Sequence, residues 1–143
     1  MIAYIDSSTL LRYVIRAETS IFQAFALGRC VSSELLEIES RRTLLRYRAE
    51  GSFDDAQLDE AMTILSRTIE SIDLIELDSS IKRRAMEAFP ISVKTLDALH
   101  LATCLAVRHS ETEEALLVFS HDLAMNRAAR LLGFATPLST PSG

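Results

Sequence analysis

Residues 2–6 read "IAYID", and the chain continues "SSTLLRYVIR" through Arg16. Ile2 to Ile5 form a short apolar run without polar alternation, which predicts a strand covered on both faces. The serines that follow are good helix caps, so a helix is predicted from Ser7 or Ser8 through Arg16. A doubly buried strand that runs straight into a helix is the opening of a parallel sheet layered between helices. The same reading puts Asp6 at the carboxyl end of that strand, the edge where such sheets bind ligands.

The alternation continues along the chain. A short helix is predicted over 19–27, stopped by Gly28, and "RCVSS" (29–33) is a second strand. Two longer helices are predicted over 34–49 and 54–70; the second carries Leu58, Ala61, Met62, Leu65 and Ile69 as an apolar stripe. "IDLIEL" (72–77) alternates as a strand, and a helix from Ser79 or Ser80 to Phe89 is ended by Pro90. A helix containing Asp97 runs to about Arg108. "ALLVFS" (115–120) is the clearest strand, a helix over 122–132 stops at Gly133, and "FATPL" (134–138) is a last edge strand that tolerates Pro137. The pattern predicts one α/β domain over 1–143, with a mostly parallel central sheet of four to five strands and helices on both faces.

Composition is that of an ordinary soluble domain: 143 residues, 48% hydrophobic and 24% charged. Cys30 and Cys104 are far apart and have no zinc spacing, so they are expected as small core residues in a reducing compartment. The N-terminus lacks the basic and apolar regions of a signal peptide, and no window approaches a membrane span. These features predict a cytoplasmic protein with no membrane contact. A net charge of -5 disfavours broad electrostatic binding of nucleic acid and leaves room for a local basic surface.

Acidic residues fall at informative places. Asp6 and Asp122 each follow a predicted strand and so belong on the same sheet edge. Asp97, in "KTLDALHLATC" (94–104), sits in the first turn of an apolar helix, where an unpaired carboxylate is expensive to bury. Glu39, one turn into the helix after "RCVSS", can reach the same place; Glu37 is the alternative, although Glu37 and Arg41 have the spacing of a surface ion pair. Converging carboxylates repel unless a cation intervenes, and an all-oxygen set suits Mg²⁺ or Mn²⁺. Such an ion beside a phosphate points to phosphodiester hydrolysis. Taken singly, each acid also has a local reading: Asp6 as a cap or turn residue, Asp97 as a first-turn acid behind a Thr95 cap, and Asp122 as an N-cap.

Four blocks, in this order, resemble the PIN-domain nucleases and, within them, the VapC-type toxins of toxin–antitoxin pairs. They are "YIDSSTLLRYV", "VSSELLEIESRR", "TLDALHLATC" and "LLVFSHDLAMNRAARLLGF". The serine-to-glutamate spacing of the second block favours Glu39 over Glu37. The resemblance implies a PIN fold and a Mg²⁺-dependent endoribonuclease (with Mn²⁺ as the other ion) that cleaves RNA. It also implies inhibition by a cognate VapB-type antitoxin and a homodimer. It assigns Asp6, Glu39, Asp97 and Asp122 as catalytic, with Asp6, Asp97 and Asp122 holding metal and Glu39 acting through water. Ser8 and Ser120 would add hydroxyl hydrogen bonds, with capping and strand-end roles as their alternatives. Arg12, near Asp6, would meet substrate phosphates or an acidic antitoxin segment, with a solvated helix face as its alternative. Arg41, Arg42, Arg46 and Arg48 form the densest basic run, and His100 is expected to pack rather than to bind metal. A PIN-like module that binds RNA or a partner without cutting is the competing reading.

Overall fold

The computed structural model describes residues 1–139. Eleven elements follow one another: β1 (Ile2–Ile5), α1 (Ser7–Arg16), α2 (Ile21–Phe25), β2 (Arg29–Ser33), α3 (Leu35–Ala49), α4 (Asp55–Ile69), β3 (Asp73–Ile75), α5 (Ser79–Ala85), α6 (Thr95–Ser110), β4 (Leu116–Phe119) and α7 (Leu123–Leu131). The four strands form one sheet in the order β3-β2-β1-β4. Every pairing in it is parallel. β1 is central: Tyr4 pairs with Val31 on one side and Val118 on the other.

The period of two along the strands splits the core into two layers. Ala3, Ile5, Cys30 and Phe119 face a layer containing Leu10, Ile21, Leu36, Leu44 and Leu65, contributed by α1 to α4. Ile2, Tyr4, Val31, Leu116 and Val118 face Leu101, Cys104, Met125 and Ala128 of α6 and α7. Helices therefore cover both faces, and all of Ile2 to Ile5 is buried. That is what an uninterrupted apolar strand requires. Both cysteines are buried and free.

Several boundaries differ from those expected. The predicted fifth strand "FATPL" is reduced to one parallel bridge, Leu117 with Ala135, because the chain turns at Pro137 and Leu138 instead of extending along β4. Strand β3 covers only the middle of "IDLIEL". Helix α5 ends at Ala85, well before Phe89, and α6 continues past Arg108 to Ser110. Thr95 lies inside α6 and the capping position is Lys94, which makes no side-chain cap bond; Thr95 as cap is thus corrected. Helix α4 begins with a full capping box between Asp54 and Gln57.

The strand order has a functional consequence. From β1 the chain builds outward through β2 to β3, then crosses back to place β4 on the other side of β1. The point where the order reverses lies between β1 and β4, and a crevice opens there beyond the carboxyl ends. Asp6 and Ser120 are the first residues past those two strands.

Candidate active site

Asp6 occupies the N-cap position of α1, yet its side chain makes no cap bond. Its Oδ2 instead accepts from Ser8 Oγ at 2.8 Å and from Ser120 Oγ at 2.7 Å. The residue is only 5% exposed, so these two donors help offset the cost of burying a carboxylate. The same hydroxyls receive backbone N–H groups from the β4–α7 turn: His121 N to Ser8 Oγ at 2.9 Å and Asp122 N to Ser120 Oγ at 3.0 Å. Asn126 fastens the turn from within by donating to the Ser120 carbonyl at 2.8 Å. Two serines thus lock the position of Asp122 relative to Asp6.

Asp122 is an N-cap as well as a cavity residue: its Oδ1 accepts from Met125 N at 3.0 Å at the start of α7. Asp97 lies in the first turn of α6. Glu39 lies on α3 and meets His100 of α6, with Oε1 to Nε2 at 2.5 Å. Glu37 forms an ordinary i,i+4 pair with Arg41 at 3.2 Å. Of the two glutamates, Glu39 is the one on the cavity.

Asp6, Glu39, Asp97 and Asp122 all line one open cavity of about 540 Å³, together with Ser8, Arg46 and Lys94. A larger cavity of about 720 Å³ lies beside α5 and the start of α6; it is lined by Met86, Phe89, Ile91 and Val93 and contains none of the four acids. Size does not locate the chemistry here.

The carboxylates feel one another. Burial first, then the charges of Asp122 and Asp6, push the Asp97 carboxyl up from 3.8 to about 6; Glu39 adds to the rise and His100 opposes it. Burial pulls His100 down, but its bond to Glu39 and the charges of Glu39, Asp6 and Asp97 outweigh that and hold the imidazole above its ordinary value. Among the described residues, no three His, Cys, Asp or Glu side chains close into a ready-made metal cage. A hard, water-rich ion suits this arrangement. Mg²⁺ is typically held by one or two carboxylates and keeps several waters, and the donors here are all carboxylate and hydroxyl oxygens.

Residues 3–131 match the PIN domain family. The chain belongs to that family. PIN domains are generally nucleases and typically depend on a divalent metal. No curated protein matches the chain in sequence. Among solved structures, VapBC2 from Rickettsia felis bound to a DNA fragment from their promoter is similar, with a TM-score of 0.65. The sequences are 9% identical, and the match covers 90% of this chain and 93% of that one. At that identity the likeness establishes the fold.

In this PIN domain the sequence-predicted acids converge, and so do Ser8 and Ser120. Arg12 does not join them: it pairs with Glu18 at 3.3 Å and is absent from the cavity wall. His121 also turns away, its Nε2 lying 2.8 Å from Ser20 Oγ. Sequence reasoning overlooked Lys94 as a cavity cation. It also overlooked the bond from His100 to Glu39. A faint signal for the latter was present, since a histidine and the tyrosine of β1 both fall at buried positions and each must find a polar partner there.

No described helix is long and apolar enough to cross a membrane.

Proposed function

We propose that this PIN domain is a Mg²⁺-dependent endoribonuclease, with Mn²⁺ as a substitute ion, acting as the VapC-type toxin of a toxin–antitoxin pair. The observation that carries the reading is the meeting of four carboxylates from distant segments in one open cavity at the switch point of the sheet. The raised Asp97 adds to it: the cluster holds more negative charge than it can stabilise alone.

In this reading Asp6, Asp97 and Asp122 would hold the ion, in part through its waters. When bound, it offsets negative charge on phosphate oxygens and lowers the pKa of water. Ser8 and Ser120 hold the Asp6 carboxylate in place through their hydroxyl hydrogen bonds. Glu39 orients the attacking water and accepts its proton. Lys94 and Arg46, at the cavity wall, hold the RNA backbone by phosphate contacts that carry no base information. The likeness to a VapBC complex supports a VapB-type antitoxin partner. A homodimer working in the cytoplasm completes the proposal.

Purified protein mixed with structured RNA is the test. Cleavage is expected with Mg²⁺ or Mn²⁺ and is lost with chelator. Asp97→Asn is expected to fold and to cut at least about 10²-fold more slowly, the scale of losing one electrostatic group at the reacting centre. Undiminished cleavage by Asp97→Asn refutes the site assignment. RNA bound tightly but left intact in the presence of metal identifies a silent binding module instead.

A further inference from the structure

Glu39 is the end of a hydrogen-bonded chain that runs back into the core. The backbone N–H of Ser33 donates to Tyr4 Oη at 3.2 Å. Tyr4 Oη lies 2.5 Å from His100 Nδ1, and His100 Nε2 lies 2.5 Å from Glu39 Oε1. Ser7 Oγ reaches the other carboxylate oxygen at 3.5 Å. Tyr4 is 0% exposed and His100 1%, so the chain has no access to water until it reaches the cavity.

Counting hydrogens gives the chain a direction. Tyr4 Oη accepts the Ser33 N–H and has its own hydrogen to give to Nδ1 of a neutral His100 ring. In that arrangement the ring hydrogen sits on Nε2, facing Glu39. A protonated ring also carries a hydrogen on Nε2, so Glu39 keeps its donor in either charge state. A glutamate on a helix surface has three free torsions. Here one carboxylate oxygen is tied across to α6, three residues from Asp97, and the tie ends on the backbone of β2. Packing alone does not call for this: an aliphatic side chain would fill the His100 site without polar atoms to satisfy.

We propose that His100 and Tyr4 are positioning residues that fix the Glu39 carboxylate against the Asp6–Asp97 side of the cavity. The proposal rests on the nuclease reading for its kinetic consequence, and on geometry alone for the link itself.

The test has two arms, both on the full chain. The first is ring ¹⁵N NMR of His100 in metal-free protein. Glu39→Gln is expected to shift the Nε2 resonance and Tyr4→Phe the Nδ1 resonance; an Nε2 signal indifferent to Glu39→Gln overturns the link. The second is single-turnover cleavage. His100→Leu is expected to lose about 10²-fold in rate, the scale of a misplaced catalytic group, with KM for RNA changed less than about twofold. His100→Gln, whose amide N–H can still reach Glu39, is expected to recover to within about tenfold of the unaltered protein. In the double variant His100→Leu with Glu39→Gln, the loss is expected to equal that of Glu39→Gln alone. Fully additive losses overturn the positioning role. If His100→Leu fails to fold, Tyr4→Phe enters the same cycle with Glu39→Gln and decides the same question. An unaltered protein that cuts no RNA sinks the nuclease reading, and the NMR arm then decides the link by itself.

Discussion

Asp97→Asn should make the metal-free domain more stable while removing its activity. The Asp97 carboxyl is raised from 3.8 to about 6 by burial and by the neighbouring acids. A rise of that size sets a ceiling of about 3 kcal/mol against the ionised form in the fold. Asp97 is partly exposed, and solvent and salt screen such a group, so about 1 kcal/mol is the expected net effect. The sign follows from proton binding. Below about pH 3.8 the carboxyl is neutral in both folded and unfolded chains and carries no penalty. Between there and about pH 6 the folded chain binds the extra proton, so stability falls as pH rises, and above about pH 6 the loss is complete. Asparagine has nearly the same shape and does not titrate. Thermal melts in chelator at pH 7.5 should place the variant about 2–4 °C higher, the shift about 1 kcal/mol gives in a domain of this size. The gap should shrink toward pH 4 and in high salt. Added Mg²⁺ should raise the unaltered protein more than the variant, because in the proposed site that carboxylate holds the ion in the folded state. A variant that melts at or below the unaltered protein at pH 7.5, with no dependence on pH, refutes the repulsion argument.

Asp122 caps α7 and, in the proposed site, holds metal, and the two roles can be separated. Asparagine caps a helix about as well as aspartate, so Asp122→Asn should keep its urea midpoint and bind Mg²⁺ more weakly by calorimetry, whereas Asp122→Ala should also lose about 1 kcal/mol as the Met125 N–H loses its acceptor. Lys94→Ala, measured in an Asp97→Asn background that holds RNA uncut, should weaken binding and lower the slope of log K against log salt by about 0.7, the value for one contact to single-stranded phosphate. An unchanged slope removes Lys94 from the RNA path.

Much of this domain is legible in its sequence because the signals are local. The apolar run Ile2–Ile5 reads as a doubly buried strand and is one, and "ALLVFS" yields β4. Asp6 and Asp122 follow strands directly, and a parallel sheet sends both to one edge. Element ends are less legible. "FATPL" has the composition of a strand, but a chain that turns at once keeps a single bridge. Arg12 lies only six residues from Asp6 in sequence, yet its helix face carries it to Glu18 and away from the cavity.

The sequence by itself determined the layered architecture and put Asp6 and Asp122 on one sheet edge, because hydrophobic periodicity and strand-end position act over a few residues. Periodicity left Glu37 and Glu39 open, with only the family resemblance favouring Glu39, and His100 read as core filling. Only tertiary structure decided those points. A glutamate's surroundings depend on which helix crosses it: Glu37 meets Arg41 of its own helix, while Glu39 meets an imidazole 61 positions away. Contacts at that separation arise where α3 and α6, packed on opposite faces of the sheet, meet at its carboxyl edge, and no local pattern encodes them.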